Sequence, residues 1–142
     1  AAAFLNFVLA VIGLAAAFQS FIEGLGLSPF QVLLIIIAIY LVMGCFMESL
    51  SMLITTTPIV VPVIVALGYD PIWFGVVLML LLETALITPP IGLNLYVVQS
   101  IRKSGPIKDV INGAIPFVFA MFVMIGLVIA FPSMALWLPS LL

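Results

Sequence analysis

The chain has 142 residues and a net charge of -2; 67% of its residues are hydrophobic, 6% are charged, and its mean hydropathy is +1.56. Because soluble domains carry about 25% charged residues, this composition indicates an integral membrane protein, and the absence of basic clusters argues against a nucleic-acid partner. The sequence has one cysteine, which excludes an internal disulfide, and no histidine, which excludes a Ser-His-Asp triad and an imidazole metal site within this chain. It also has no G-x-x-x-x-G-K-[ST] motif and therefore no P-loop for a nucleotide.

The first predicted element is a spanning helix from Ala1 to about Ile22. It ends at a glycine-containing turn over residues 23–29. The apolar run begins at the first residue, with neither an initiator methionine nor the features of a signal peptide. We therefore expect the sequence to be a piece of a longer polypeptide, with residues 1–28 as a scaffold arm.

The second apolar stretch, Pro29 to Leu67, is too long for one membrane crossing. As a single helix it would measure about 58 Å, whereas the hydrocarbon core of a bilayer is about 30 Å thick. Two short spans and a re-entrant hairpin with its tip inside the membrane both fit these residues. We favour the hairpin, because its tip, residues 44–51, has none of the Lys, Arg, Trp or Tyr side chains that anchor a turn at a water interface.

Glu48 is the only charged residue of this stretch and lies at the predicted tip. A carboxylate at membrane depth is costly and usually marks a functional site. Alternatively, Glu48 and Ser49 cap the second arm of the hairpin by accepting hydrogen bonds from its first amides. The two interpretations are compatible, and both stay open. In the second arm, Thr55–Thr57 before Pro58 predict a kinked helix, with a substrate contact as the alternative.

The third stretch, Pro71 to Ser100, is predicted to cross the membrane as a helix interrupted at Thr88-Pro89-Pro90. The two prolines remove two amide donors, so the carbonyls before them lose their intrahelical partners. At membrane depth such a break persists only where it lines a cavity or is buried in protein, and transporters use such breaks to build ion and substrate sites. The Thr88 hydroxyl and the freed carbonyls are hard oxygen ligands suited to a small cation. A kink needed only for packing is the alternative.

All the basic residues of the chain follow this stretch, at Arg102, Lys103 and Lys108. By the positive-inside rule, the loop 101–108 is cytoplasmic and the C-terminus lies outside. Pro106 is expected to begin a short cytoplasmic helix. The last apolar stretch, about residues 112–138, then returns outward and brings three aromatic anchors to one membrane boundary: Trp137, Tyr69 and Trp73.

Several motifs resemble the large membrane subunit of TRAP transporters, the tripartite ATP-independent periplasmic transporters of bacteria and archaea. They follow the family's order from about Ser28 to Pro139, and the most specific is the segment 88–95, T-P-P-I-G-L-N-L. The others are Gly44–Ser49, Pro58, Pro62, Leu67–Pro71 and Phe74–Val76. The resemblance covers only the C-terminal third or so of such a subunit.

The resemblance implies an all-α integral membrane fold, the second half of an inverted-repeat, elevator-type transporter. Residues 29–100 would form half of its transport core, with the re-entrant hairpin over 29–67 and the discontinuous helix over 71–100. Residues 101–142 would form the cytoplasmic loop and last spanning helix. The implied activity is sodium-coupled import of small organic anions such as carboxylates across the bacterial or archaeal cytoplasmic (inner) membrane. The implied partners are a small membrane subunit and a periplasmic substrate-binding protein.

In this family Na⁺ binds between a hairpin tip and a helix break. The side chains and backbone carbonyls expected to bind Na⁺ are those of Gly44, Glu48, Ser49, Thr84, Ile87, Thr88 and Pro89. The expected substrate-binding residues are Ser51, Pro90, Gly92 and Asn94. The sequence departs from the family pattern at three places: Glu48 replaces a frequent Asp, Ala85 replaces a frequent Gly, and Thr55–Thr57 replace apolar residues.

Other functions are also compatible with the residues. They are a non-transporting membrane scaffold subunit, another ion-coupled anion carrier with similar hairpins, and an intramembrane enzyme that uses Glu48 and Glu83 as acid and base. The lack of histidine and of an activated nucleophile disfavours the enzyme, so we expect no catalytic residues.

Overall fold

The structure is a computed structural model that describes residues 26–89, 92–102, 104–137 and 139–141, together with six isolated positions in the first 25 residues. The spanning helix expected over residues 1–22 therefore lies outside the described residues, as do Pro90 and Lys103.

Over the described ranges the chain is built of helices. They are α1 (Pro29–Gly44), α2 (Ser49–Ala66), α3 (Pro71–Ile87), α4 (Leu93–Ile101), α5 (Ile107–Ala130), the single turn α6 (Ser133–Leu136) and a final 3-10 turn (Pro139–Leu141). Two of the described helices, α2 and α5, are long and apolar enough to cross a membrane, and α1 and α3 are shorter apolar helices.

Local sequence signals explain where the first helices begin and end. Ser28 and Gln31 form a capping box at the start of α1, and the Asp70 carboxylate accepts hydrogen bonds from the first amides of α3. Gly68 ends α2 with a positive φ of 85°, which lets the Tyr69 amide donate to the Ile64 carbonyl at 3.1 Å. These caps agree with the turns predicted at both ends of the hairpin.

Helix α3 is the centre of the described bundle, because α1, α2, α4, α5 and α6 all pack against it. Its side chains Phe74, Val77 and Leu81 are fully buried, and Leu33 of α1 and Ile64 of α2 are buried with them. These buried side chains pack the hairpin against α3, and in a bilayer such close packing stabilises the contact through van der Waals attraction.

The packing partners give the relative directions of the helices. The first turns of α1 and α3 line one cleft, and their last turns meet at Gly44 and Ala85, so these two helices run parallel. Helix α2 connects the end of α1 to the start of α3 and therefore runs in the opposite direction. Helix α5 packs against both α4 and α3, and near its end the Val128 carbonyl accepts a 2.8 Å hydrogen bond from Trp73 Nε1. The hairpin thus lies alongside α3 and ends near its last turn, whereas α5 lies alongside both α3 and α4.

The predicted boundaries of the last two elements were wrong. A separate short helix after Pro106 is absent from the described residues 104–130, because α5 begins at Ile107 and continues without interruption to Ala130. Its early residues contain no proline, and Asp109 in the first turn interacts favourably with the positive end of the helix dipole. The span expected to continue to residue 138 ends at Ala130, because Pro132 disfavours helical geometry at Phe131.

Candidate functional site

The helical backbone is interrupted between α3 and α4. Helix α3 ends at Ile87, and Thr88 is extended with φ −82° and ψ 125°. The Thr88 amide donates to the Ala85 carbonyl at 3.3 Å, three residues back instead of four. Since neither Pro89 nor Pro90 has an amide hydrogen, the α-helical ladder has no donors to continue here. We call residues 88–92 the helix break.

Threonine hydroxyls before the break are oriented by helix carbonyls. Thr88 Oγ1 donates to the Thr84 carbonyl at 2.6 Å, and Thr84 Oγ1 donates to the Leu80 carbonyl at 2.6 Å. The hydroxyl protons are therefore used within the helix, and the oxygen lone pairs remain able to accept a hydrogen bond or bind a cation. The Leu86 carbonyl has no α-helical donor, because the residue four positions later is Pro90.

Gly92 is buried, and its backbone folds onto the end of α3. Its amide donates to the Thr88 carbonyl at 3.0 Å. A Cβ atom on Gly92 would lie 2.7 Å from the Leu86 carbonyl oxygen and 2.9 Å from the Thr88 carbonyl oxygen. Only glycine fits this approach. No side chain of the described residues caps the following helix α4. The Leu95 amide donates to the Gly92 carbonyl at 2.9 Å, which leaves the amides of Leu93 and Asn94 available to an anion.

The carboxylate of Glu48 caps α2. It accepts hydrogen bonds from the Leu50 amide at 2.7 Å, the Ser51 amide at 2.9 Å and the Ser51 hydroxyl at 3.1 Å. Ser49 is the first residue of α2 and not its cap. Both carboxylate oxygens accept in this cap, Oε1 from Leu50 and Oε2 from Ser51, and Glu48 is exposed.

The tip (residues 44–51) meets the broken helix through Gly44. A Cβ atom on Gly44 would lie 2.3 Å from Cβ of Ala85, and Ala85 is fully buried. The last turn of α1 therefore approaches α3 one turn before the helix break. This contact joins the two segments from which the expected Na⁺ ligands were drawn.

The expected site residues differ in their surroundings. Thr84 and Gly44 are buried within the bundle, and three are half-buried at the end of α3: Ile87, Thr88 and Pro89. Ser51 is exposed on the first turn of α2. Asn94 is exposed on α4 and lines a groove that α4 forms with α5, and Pro90 lies outside the described residues.

Sequence reasoning missed a hydrogen bond that joins the two arms of the hairpin. Tyr40 OH lies 2.5 Å from Thr56 Oγ1, and Thr56 Oγ1 itself donates to the Met52 carbonyl at 2.7 Å. Because the Thr56 proton is used in the second bond, Tyr40 is the donor in the first. A tyrosine within the apolar run 32–43, in the arm opposite a threonine run, was the available signal. The hydroxyls of Thr55 and Thr56 donate to carbonyls four residues back, as the kinked-arm interpretation expects.

Comparison with known proteins gives one consistent result. Residues 1–134 match the family described as the tripartite ATP-independent periplasmic transporter, DctM component. The chain is 39% identical over 82% of its length to the C4-dicarboxylate TRAP transporter large permease protein DctM of Vibrio cholerae. It is 39% identical over 80% of its length to the sialic acid TRAP transporter large permease protein SiaM of the same organism. It is 32% identical over 92% of its length to the ectoine TRAP transporter large permease protein TeaC of Halomonas elongata. The aligned segments cover 26%, 26% and 31% of these relatives.

Proposed function

Because the chain belongs to the DctM family of tripartite ATP-independent periplasmic transporters, we propose that it forms the part of a large permease subunit that couples Na⁺ binding to the import of small organic anions. The family membership makes the chain a membrane permease component and not an enzyme. A periplasmic binding protein that delivers the substrate and a small membrane subunit are the partners that a tripartite system implies.

The proposed substrate class is the small organic anion, with carboxylates foremost. Relatives are named for C4-dicarboxylates, sialic acid, ectoine and isethionate. C4-dicarboxylates, sialic acid and isethionate are negatively charged at neutral pH. The uncapped amides at the start of α4 would favour such an anion. Ser51, Pro90, Gly92 and Asn94 remain the proposed substrate contacts.

The single observation that carries the Na⁺ proposal is the contact of the tip with the broken helix at Gly44 and Ala85. It brings the backbone of the tip to the turn that contains Thr84 and precedes Thr88. Hydroxyl and carbonyl oxygens are the ligand type that a small hard cation requires, so these residues fit Na⁺. The proposed ligands are Thr88 Oγ1, the Ser49 hydroxyl, the exposed Glu48 carboxylate and the carbonyls of Gly44, Thr84, Ile87 and Pro89.

Helix lengths support a re-entrant hairpin. Helix α1 has 16 residues, or about 24 Å, and ends beside the end of α3, whereas α5 has 24 residues, or about 36 Å, and extends along both halves of the broken helix. A hydrocarbon core is about 30 Å thick. We propose that α1 and α2 enter and leave on the outer side, and that the hairpin and the broken helix move together as the mobile unit of an elevator.

Sodium-driven uptake tests this function. The complete permease, its small subunit and its binding protein would be reconstituted in proteoliposomes, with radiolabelled succinate, N-acetylneuraminate and isethionate as probes. We expect uptake of at least one anion to require an inward Na⁺ gradient. Thr88→Ala combined with Glu48→Gln is expected to raise the Na⁺ concentration for half-maximal uptake at least tenfold.

Thr55→Ala is the matched control, because its hydroxyl also donates to the carbonyl four residues back but lies outside the proposed Na⁺ ligands. It should leave the Na⁺ dependence unchanged. If the double substitution behaves like this control, the proposed position of the Na⁺ site is wrong.

A further inference from the structure

Gly44 lies where three helices meet. Its absent side chain faces Ala85 of α3, where a Cβ atom would come within 2.3 Å of the alanine methyl, and Met52 of α2, whose Cε would lie 3.4 Å away. Ala85 and Met52 are 0% and 1% exposed, so neither is free to turn into solvent. Carbon atoms in contact normally lie about 3.5 to 4.0 Å apart. A second methyl at this contact would therefore push α1 away from α3 by more than about 1 Å.

Among the glycines within the described helices, such a close contact is particular to Gly44. Other glycines of the described helices, Gly75 in α3 and Gly113 and Gly126 in α5, have nothing within 4 Å of an added Cβ. The contact between Gly44 and Ala85 thus has room for one methyl group and not for two.

Backbone hydrogen bonds connect this contact to the tip on one side and to the helix break on the other. On the hairpin side, the amides of Phe46 and Met47 both donate to the Met43 carbonyl at 2.9 Å, so the tip turns directly out of the last turn of α1. On the other side, the Ala85 carbonyl accepts from the Thr88 amide at 3.3 Å. A displacement at Gly44 or Ala85 is therefore transmitted to the tip and to the helix break.

We propose that the contact between Gly44 and Ala85 fixes the separation of the tip from the helix break and thereby determines the affinity for Na⁺. This inference rests on the proposed function. Gly44 acts here through its missing side chain, and Ala85, which was not among the expected site residues, is a positioning residue that touches no ion. Because the contact accepts one methyl from either side, exchanging the two residues should preserve it.

The test compares the complete permease with three variants: Gly44→Ala, Ala85→Gly and the exchange Gly44→Ala with Ala85→Gly. Equilibrium binding of radioactive sodium to the purified protein in detergent is measured together with the melting temperature. Gly44→Ala is expected to lower both the melting temperature and the Na⁺ affinity, the latter at least tenfold. The exchange is expected to restore the affinity to within about threefold of the original protein, since a displacement of about 1 Å is removed.

Gly75→Ala is the matched control, because it adds the same methyl group to α3 where the described residues leave space. If Gly44→Ala does not accumulate as folded protein, Ala85→Gly and the exchange still decide the question, since neither adds volume to the contact. Recovery of the melting temperature without recovery of Na⁺ affinity would mean that the contact is only structural, and would overturn the inference while leaving the proposed function standing. Absence of Na⁺ binding in the unchanged permease would remove both.

Discussion

At the scale of single residues, four of the five threonine hydroxyls share one geometry. They donate to the carbonyl four residues earlier: Thr55 to Ser51, Thr56 to Met52, Thr84 to Leu80 and Thr88 to Thr84. The exception is Thr57, whose buried hydroxyl has no hydrogen-bond partner among the described residues. In the other four the oxygen is then left as an acceptor, and Thr56 demonstrates this by accepting from Tyr40. Thr88 at the helix break has the same property, which is why a cation is the partner that we propose for it.

The Tyr40–Thr56 hydrogen bond predicts a coupling between the two arms of the hairpin. Tyr40→Phe and Thr56→Val should each destabilise the complete permease by about 1 kcal/mol, because each removes the same bond between largely buried groups. The double variant should lose less than the sum of the two, as measured by chemical or thermal unfolding in a double-mutant cycle.

Thr55→Val is the control for this cycle, because the Thr55 hydroxyl is exposed and donates only to its own helix. Full additivity of Tyr40→Phe with Thr56→Val would show that the two hydroxyls do not interact.

Gly92 gives a second prediction at this scale. Gly92→Ala places a Cβ 2.7 Å from a backbone oxygen that no rotamer can move, so it should cost about 1 to 3 kcal/mol and displace the start of α4. Gly113→Ala, with open space around its added methyl, should change the melting temperature little. Equal melting temperatures for the two variants would contradict the close backbone approach at Gly92.

The sequence identified Gly92 as a candidate substrate contact but not the reason for the glycine. That reason is the return of the backbone onto the Leu86 and Thr88 carbonyls, which depends on the path of the chain through the break. Sequence patterns report residue types and spacing, and they contain no such distances.

At the scale of helices, the predicted starts and ends relied mainly on capping residues and prolines. Ser28, Glu48 and Asp70 each cap the start of a helix, and the described helices α1 to α3 end near the turn signals at residues 44–51, 67–71 and 88–89. The prediction failed for α5, where Pro106 was taken to begin a separate short helix. A helix continues for as long as successive residues can form its ladder, so a local signal for a start does not determine a length.

The break between α3 and α4 makes its own prediction. Pro89→Ala restores an amide that can donate to the Ala85 carbonyl and removes a clash worth about 3 kcal/mol in a helix, so α3 should lengthen toward the break. We expect Na⁺ affinity to fall at least tenfold in radioactive-sodium binding, while the melting temperature stays equal or rises.

Pro116→Ala is the control for this change, because α5 continues through its proline. It should leave Na⁺ binding as it was. Unaltered affinity in Pro89→Ala would mean that the open backbone is not part of the ion site.

At the scale of the whole molecule, the described bundle leaves large apolar side chains on its surface. Phe117 and Phe119 of α5 are 68% and 70% exposed, as is typical of a surface covered by lipid or by the rest of a larger permease. The composition predicted this membrane environment. It did not predict that α1 runs parallel to α3 and meets it at Gly44 and Ala85, because helix packing depends on complementary surfaces far apart in sequence.

The topology prediction also belongs to this scale. The basic residues near the loop between α4 and α5 predict that Ser104 faces the cytoplasm. Helix α6 packs against α3, and Tyr69, just before α3, stacks on Trp73 in its first turn. These aromatic side chains predict that Ser140 faces outward. In a background with the buried Cys45 replaced by alanine, Ser140→Cys should react with a membrane-impermeant maleimide in spheroplasts. Ser104→Cys should react only after permeabilisation, and the opposite pattern would reverse the proposed orientation.

The measurement that tests the central claim most directly is a high-resolution cryo-EM map of the complete permease in Na⁺, compared with one in choline. We predict density in the Na⁺ map alone, between Thr88 Oγ1 and the tip, with α3 and α4 separated at Pro89. A continuous helix through both prolines, with Glu48 in bulk water and no density beside Thr88, would contradict the proposed site.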